Sequence, residues 1–188
     1  MKLSDVSEIF IGILVKREEK KGGEYQFAIF DLKNYENNEN EYDIVETDKN
    51  LEYKLTKKGD LIFRLVYPNK IIYIDKKLQG MLVSSQWCII RPQKINAKFL
   101  KWYLESDEGK ENILTNISGS TVQKISVQSL KMLEIPEITL QQQKKLEDII
   151  ELWKKEKKIL LEIINSKELL YKNLIEEFIE NENKARKA

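Results

Sequence analysis

Residues 140–179 contain no glycine and no proline, and this uninterrupted segment is the feature that most constrains how the 188-residue chain can fold. Alternate steps of four and three residues from Leu146 reach ten positions, of which all but Lys157 and Lys167 are apolar. Such a seven-residue repeat, sustained over more than four heptads, is typical of a coiled coil. The predicted apolar seam consists of Leu146, Ile150, Trp153, Leu160, Ile164, Tyr171, Leu174 and Phe178.

A helix of this length needs a partner to cover its apolar side. About 37 residues at a rise of ~1.5 Å each extend over roughly 55 Å, which is more than a small domain can cover. We therefore expect a second helix against the seam, with Lys157 and Lys167 fixing its register or direction. The alternative is an amphipathic helix folded back on its own domain. Against this alternative stand the length of the helix and the residues Ile149, Ile163 and Leu170, which widen the stripe enough to face both a partner and the domain.

The chain before this helix has the pattern of a mixed α/β domain. Segments rich in β-branched and aromatic residues predict strands at residues 25–32, 61–67, 71–74 and 83–90. Residues 96–104 predict a helix with Asn96 as its N-cap. The expected fold class is α+β, with a mixed α/β domain at residues 1–139, a long coiled-coil helix at 140–180 and a frayed polar tail at 181–188.

Composition excludes most classes of nucleophilic and metal enzyme. The chain has no histidine, so it has no Ser–His or Cys–His dyad and no histidine-ligated metal. Its single cysteine, Cys88, excludes an intrachain disulfide, a zinc ribbon and an iron–sulfur cluster. No apolar run reaches the ~18–20 residues of a membrane span, and the run at residues 9–15 follows acidic residues, unlike a signal peptide. We expect a cytoplasmic protein that does not bind membranes.

Charge is segregated along the chain although the net charge is only +1. Residues 61–132 carry a net charge of +6, whereas residues 31–60 carry −4. A local positive field is the electrostatic signature of a nucleic-acid-binding protein. The alternative is that these are solvated lysines on a chain that is rich in lysine throughout.

Three stretches, in their order and spacing, resemble a known family. They are KLSDVSEI at residues 2–9 with Gly12 close behind, KGDLI at residues 58–62, and LEIPEITLQQQ at residues 133–143. The first two look like parts of a target recognition domain. The third is similar to the IP-x-P-x-x-x-Q transition into the conserved helix of type I restriction–modification specificity (S) subunits. The chain departs from that pattern at Glu137 and Ile138, where the family often has a second proline.

The resemblance implies a protein that measures a split DNA site. In S subunits, each target recognition domain reads one half-site and antiparallel helices set the separation. A full S subunit has two domains and two helices, whereas this chain resembles one domain (residues 1–139) and one helix. We expect a homodimer that reads a palindromic, bipartite site in double-stranded DNA. A ~55 Å helix would place the half-sites about one to one-and-a-half DNA turns apart, at ~34–36 Å per turn.

The resemblance also implies that this chain is not an enzyme. The sequence lacks the Asn/Asp-Pro-Pro-Tyr/Phe stretch of adenine methyltransferases, a glycine-rich S-adenosylmethionine loop and a P-loop. By resemblance, methylation belongs to a separate methyltransferase (modification) subunit that docks on the helix and binds S-adenosylmethionine. Cleavage, where it occurs, belongs to a restriction subunit. We expect no cofactor in this chain.

Candidate DNA-binding residues fall into four groups: Lys16 and Arg17; Arg64; Ser85 and Gln86; and Ser120, Thr121, Gln123 and Lys124. Hydroxyl, amide and ammonium groups bond phosphates, and glutamine also matches the N6/N7 edge of adenine. The last group lies in a glycine-containing loop that has a counterpart in the family.

Each group also has a structural interpretation. The loop at 119–124 and the Lys16–Arg17 pair would then be surface turns, and Ser84–Gln86 would merely face a sheet edge. Arg64 lies in an apolar run, where its charge must either pair with an acid or face DNA. Trp102 and Tyr103 are expected in the core.

Two other functions remain open. Asp43 followed by Glu52-Tyr53-Lys54 has the spacing of Mg²⁺-dependent nucleases, although such a match is common by chance in a chain rich in glutamate and lysine. The second open function is that of a truncated S fragment, which pairs with a full-length S subunit and alters its assembly.

Overall fold

A four-stranded antiparallel sheet organises the first part of the chain. The computed structural model describes residues 1–39, 41–119 and 122–185 and divides them into two units, Met1–Lys144 and Lys145–Ala188. The sheet has the strand order β1 (Ser7–Ile11), β6 (Trp87–Pro92), β4 (Leu61–Arg64), β5 (Ile71–Tyr73). Ile9 pairs with Ile90, and Ile62 pairs with Ile89 on one side and Ile72 on the other.

Two short hairpins flank this sheet. β2 (Tyr25–Ala28) pairs with β3 (Ile44–Thr47), and β7 (Ile117–Ser118) pairs with β8 (Lys124–Ile125). The short helices are α1 (Leu3–Val6), α2 (Val15–Glu18), α3 (Leu32–Glu36), α4 (Ala97–Glu105), α5 (Asp107–Leu114) and α6 (Val127–Lys131).

The core lies on both faces of the sheet, which explains the unbroken apolar run of β4. Leu61, Ile62 and Phe63 are fully buried, so successive side chains on both sides of this strand avoid water. One apolar cluster joins Ile62, Ile72 and Ile89 to Phe30, whose ring packs edge-on against Trp87 at a centroid distance of 5.3 Å. A second cluster packs the β2–β3 hairpin against Ile13, Leu51 and Leu82.

Helix α4 confirms the helix predicted at residues 96–104. The side chain of Asn96 accepts hydrogen bonds from the N–H groups of Lys98 and Phe99, as an N-cap does. Tyr103 is buried, as predicted, and its hydroxyl donates to the Glu134 carbonyl at 3.1 Å. Trp102 was expected in the core but is 39% exposed, although its ring lies 6.4 Å from that of the buried Phe99, centre to centre.

The strands are shorter than the sequence pattern predicted. The strand expected at residues 25–32 ends at Ala28, and the strand expected from residue 83 begins only at Trp87. Residues 83–86 leave the sheet because their main chain pairs elsewhere: Ile13 N–H donates to the Val83 carbonyl, and Ser84 forms a parallel bridge with Ile13. This departure is what forms the polar loop described below.

The long helix, α7 (Leu140–Ala185), has 46 residues and extends about 69 Å at ~1.5 Å per residue. Thr139 and Gln142 bond reciprocally at its start, since the Thr139 N–H donates to the Gln142 amide oxygen at 2.9 Å and the Gln142 N–H to the Thr139 hydroxyl at 3.3 Å. The helix continues past the predicted end at residue 180, because residues 181–185 contain no residue that breaks a helix. Residues 186–188 of the predicted tail lie outside the described residues.

Gln143 is a buried polar residue one turn into α7. It is 1% exposed, and its amide nitrogen donates to the Ile138 carbonyl at 2.8 Å. Its amide oxygen accepts from the N–H of Asn96 at 2.7 Å. Both ends of the amide are therefore satisfied, and the residue ties the start of α7 to the N-cap of α4.

The apolar side of α7 is largely exposed. Of the predicted seam, Ile150 is buried and Leu146 is half-buried. The remaining six seam residues each expose at least half of their surface: Trp153, Leu160, Ile164, Tyr171, Leu174 and Phe178. A second set of exposed apolar residues widens this stripe: Ile149, Leu152, Ile159, Leu161, Ile163, Leu169, Leu170, Ile175 and Ile179.

A buried ion pair holds the sheet to the turn before β4. Asp60 is 2% exposed and accepts two hydrogen bonds from Arg91, from Nε at 2.9 Å and from Nη2 at 2.7 Å. Arg91 Nη2 also donates to the Leu55 carbonyl, and its guanidinium lies 5.1 Å from the centre of the Phe10 ring. The hydrogen bonds to Asp60 raise the pKa of Arg91. The pair is two-pronged and satisfied, so its loss would leave an uncompensated charge.

We expect Asp60→Asn to lower the free energy of unfolding by about 3–5 kcal/mol, because the uncharged amide turns a donor group toward Arg91. Glu36→Ala, which removes the exposed ion pair with Lys70, is the matched control and should cost about 1 kcal/mol or less. Urea denaturation of both variants measures the difference. Equal losses would contradict this assignment.

Candidate nucleic-acid interface

Main-chain hydrogen bonds bring three separate stretches together at one end of β4. Leu65 N–H donates to the Gln86 carbonyl at 2.8 Å, and the Leu65 carbonyl accepts from Ile125 N–H at 3.0 Å. Tyr67 N–H donates to the Gln123 carbonyl at 2.9 Å. The surface formed by residues 64–67, residues 84–86 and the described part of the β7–β8 hairpin is called here the Gln86 face.

Two recesses lie side by side on the Gln86 face, and Gln86 lines both. The first recess has a volume of about 500 Å³ and includes Arg64, Ser84, Glu19, Asp31 and Asp43 in its walls. The second has a volume of about 330 Å³, and its polar lining residues include Ser85 and Lys124 beside the exposed Val122. The exposed side chain of Gln86 therefore lies between the first recess, which has both acidic and basic side chains in its walls, and the second recess, which is lined by Lys124.

The structure thus brings together four of the predicted DNA-binding residues: Arg64, Ser85, Gln86 and Lys124. Gln123 is exposed on the same hairpin, where its carbonyl is used by Tyr67. Ser120 and Thr121 lie outside the described residues. Gly119 precedes them with a φ of 109°, a backbone conformation that favours glycine.

Lys16 and Arg17 lie apart from the two recesses. Both side chains are exposed on α2, which is a single turn of helix. Val15, the first residue of α2, lines the first recess, but Lys16 and Arg17 do not. Their positive charges therefore stand beside the Gln86 face and not within it.

Arg64 was predicted either to pair with an acid or to face DNA. Its side chain is half-buried, and no carboxylate or other acceptor among the described residues forms an ion pair or hydrogen bond with its guanidinium. The Asn69 side chain donates to the main-chain carbonyls of Arg64 at 2.9 Å and Leu65 at 3.5 Å, and not to the Arg64 guanidinium. Five N–H donors thus remain available in the first recess.

The acidic lining of the first recess was missed by the sequence analysis. Asp31 caps α3 by accepting from Asn34 N–H at 3.0 Å, and this N-cap pattern was its only local signal. Asp43 had been considered only as part of a nuclease-like pattern. Glu52 and Lys54 of that pattern lie in a 3₁₀ turn and do not line the recess. Within the part of the chain that the structure describes, no three His, Cys, Asp or Glu residues are placed to hold a metal ion.

Gly12 allows the loop at residues 84–86 to approach β1 closely. A Cβ atom at this position would lie 2.3 Å from the carbonyl oxygens of Val83 and Ser84. The neighbouring Gly12 N–H donates to the Trp87 carbonyl at 3.0 Å. A side chain here would push the loop away, so this glycine sets the position of Gln86.

Solved structures with the same fold include three from type I restriction–modification systems. The S subunit from M. genitalium has a TM-score of 0.53 at 18% identity and matches 82% of this chain and 38% of its own. The HsdS subunit from Thermoanaerobacter tengcongensis has a TM-score of 0.62 at 16% identity, matching 85% of this chain and 43% of its own. A third structure, which addresses complex assembly and conformational transition of the type I system, has a TM-score of 0.62 at 15% identity. It matches 85% of this chain, over 43% of the length of the matched chain.

These matches confirm the S-subunit fold that the sequence motifs predicted, a mixed helix–sheet domain followed by a long C-terminal helix. The chain spans between 38% and 43% of the length of the structures it matches. No protein-family model and no curated protein matches the sequence itself. Among the described residues, no helix has the length and apolarity needed to cross a membrane.

We expect Gly12→Ala to destabilise the protein by about 1–3 kcal/mol, because the new methyl group must displace the backbone of residues 83–84. Gly22→Asn is the control, since Gly22 has a φ of 72° with nothing within 4 Å and asparagine tolerates that conformation. Thermal unfolding compares the two variants. A Gly12→Ala protein as stable as the control would show that the loop is not held by this contact.

Proposed function

We propose that this chain is a sequence-specific DNA-binding specificity subunit of a type I restriction–modification complex. The observation that carries the proposal is the S-subunit fold with the Gln86 face on its recognition domain. Lys124 lines one of its recesses, and Arg64, whose guanidinium has no partner among the described residues, lines the other. These are the groups that bond phosphates and base edges.

The proposed assembly is a homodimer formed through α7. Six exposed seam residues run from Trp153 to Phe178, and an uncovered apolar surface of this size is a mark of an interaction site. Lys157 lies over the Trp153 ring at 5.5 Å, so its stem shields part of the seam. Two antiparallel copies would give a two-fold axis, and two-fold symmetry would match a palindromic bipartite DNA site.

The second set of exposed residues on α7 supports docking of a methyltransferase subunit. Ile149, Ile163 and Leu170 widen the apolar stripe beyond the narrow seam that one partner helix covers in a coiled coil. In the proposed complex, S-adenosylmethionine binds to that methyltransferase subunit, and this chain supplies site choice without catalysis. A restriction subunit would join where cleavage accompanies methylation.

The second candidate is a fragment that pairs with a full-length S subunit. It is favoured by the exposed seam of α7, which would accept a helix of another S subunit as well as a second copy of this chain. Recovery of a different S subunit in place of a second copy, after co-expression and purification of tagged chain, would favour it over the homodimer.

We expect Lys124→Ala to weaken binding to all duplexes and to lower the slope of log K against log[salt] by about one, because one phosphate contact is lost. Gln86→Ala should relax the preference for one base pair by about 1–3 kcal/mol and leave that slope unchanged. Lys76→Ala, which removes an exposed lysine away from both recesses, is the control. If Lys76→Ala and Lys124→Ala behave alike, the Gln86 face does not contact DNA.

We expect Leu174→Asp to convert the dimer to monomer at concentrations where the wild type remains dimeric, because a charge would be buried in the seam. Asn173→Asp adds the same charge one residue earlier, off the apolar stripe, and should leave the dimer intact. Equilibrium ultracentrifugation of both variants provides the measurement. A wild-type monomer at micromolar concentration would rule out the homodimer.

A further inference from the structure

Among the described residues, the first recess of the Gln86 face is lined by one basic and three acidic side chains. Arg64 shares its walls with Glu19, Asp31 and Asp43, so the formal charges of the lining sum to −2. A phosphate group placed in it would meet one guanidinium and three carboxylates. The recess therefore suits a ligand that offers both acceptors and donors, and it disfavours the DNA backbone.

The edge of a G·C base pair in the major groove has this combination of groups. Guanine presents the acceptors N7 and O6, which a guanidinium bonds in a two-pronged manner, and cytosine presents an N4 amino donor, which a carboxylate accepts. An A·T pair lacks the paired acceptors, and its thymine offers no donor on this edge. One arginine and one carboxylate in one recess are thus complementary to both halves of a G·C pair.

The carboxylates differ in how free they are to make such a bond. Asp31 Oδ1 is occupied by the N-cap bond to Asn34. Asp43 is exposed, and no described residue bonds its side chain; its main-chain carbonyl accepts from Ile29 N–H at 2.9 Å. Glu19 is also exposed, and no described residue bonds its carboxylate. Its longer side chain loses more rotamer freedom on binding than that of Asp43, so Asp43 is the better acceptor of the two.

We propose that the first recess reads a G·C base pair, with Arg64 donating to guanine N7 and O6 and Asp43 accepting from cytosine N4. This inference rests on the proposed function and adds the base pair that the face selects. Phosphate contacts fall outside the recess, to Lys124 in the neighbouring recess and to the exposed Lys16 and Arg17 of α2.

Selection from a randomised duplex library with the full chain tests this proposal. The wild type should select a motif in which at least one G·C pair is invariant. Arg64→Ala should lose the preference for that base pair and keep the preferences at the other positions of the motif. Replacing its guanine by 7-deazaguanine, which lacks the N7 acceptor, should weaken wild-type binding about 10- to 100-fold and leave Arg64→Ala nearly unaffected. Asp43→Asn, which keeps the side chain's shape, should reduce discrimination against A·T at that position about 5-fold or more.

The outcomes separate this inference from the proposed function. If Arg64→Ala selects the same motif as the wild type, the inference is overturned and the specificity role stands. The inference is also overturned if Arg64→Ala weakens binding to all duplexes and lowers the slope of log K against log[salt] by about one, because Arg64 would then bond phosphate. If the wild type selects no motif, both fail. Arg64→Lys, which retains a charged donor without the two-pronged fork, should keep only part of the G·C preference, and thermal unfolding checks that each variant is folded.

Discussion

The Gln86 face depends on the main chain of Leu65, which is hydrogen-bonded on both sides. Its N–H reaches the loop at residues 84–86 and its carbonyl reaches the β7–β8 hairpin. Leu65 follows directly on β4, the most deeply buried strand, and its own side chain is buried. Two polar loops that have no core of their own are thereby held at fixed positions by the central sheet. Gly12 completes the arrangement by allowing the first loop to lie against β1. Preorganisation of this kind is what a recognition surface needs, since loops ordered only on binding lose affinity to entropy.

The charge of the Gln86 face differs from one part of the face to another and does not follow the net charge of the chain. The chain has a net charge of +1, and its middle segment carries +6, yet the first recess is lined by three carboxylates. Lysine and arginine side chains stand around it, on α2 and on the β7–β8 hairpin. Exposed cations of this kind supply attraction to any phosphate backbone, which falls with salt. A recess with a negative formal charge supplies no such attraction, so in the proposed function it would act through the chemistry of base edges.

Helix α7 leaves most of its apolar side chains exposed. Packing within a small domain would have covered its apolar residues, but the seam from Trp153 onward is exposed, and a second set of apolar residues widens it. Covering such a surface would stabilise the proposed assembly by about 25 cal/mol for each Å² of apolar area. The spacing of DNA half-sites would then be set by a rigid element whose length depends only on its residue count.

The sequence by itself determined the elements whose signals are local. The long helix α7 and the N-cap of α4 at Asn96 both depend on neighbours within a few residues, and the structure confirms them. The strand ends were not predictable, because residues 83–86 leave their sheet to pair with residues around Ile13, far away in sequence. The recess was equally hidden, since Arg64 and Asp43 come from different hairpins and no local pattern records their meeting. Only the packing of those hairpins against one core decided which charges share a site, because that packing sets distances between residues that the chain order leaves far apart.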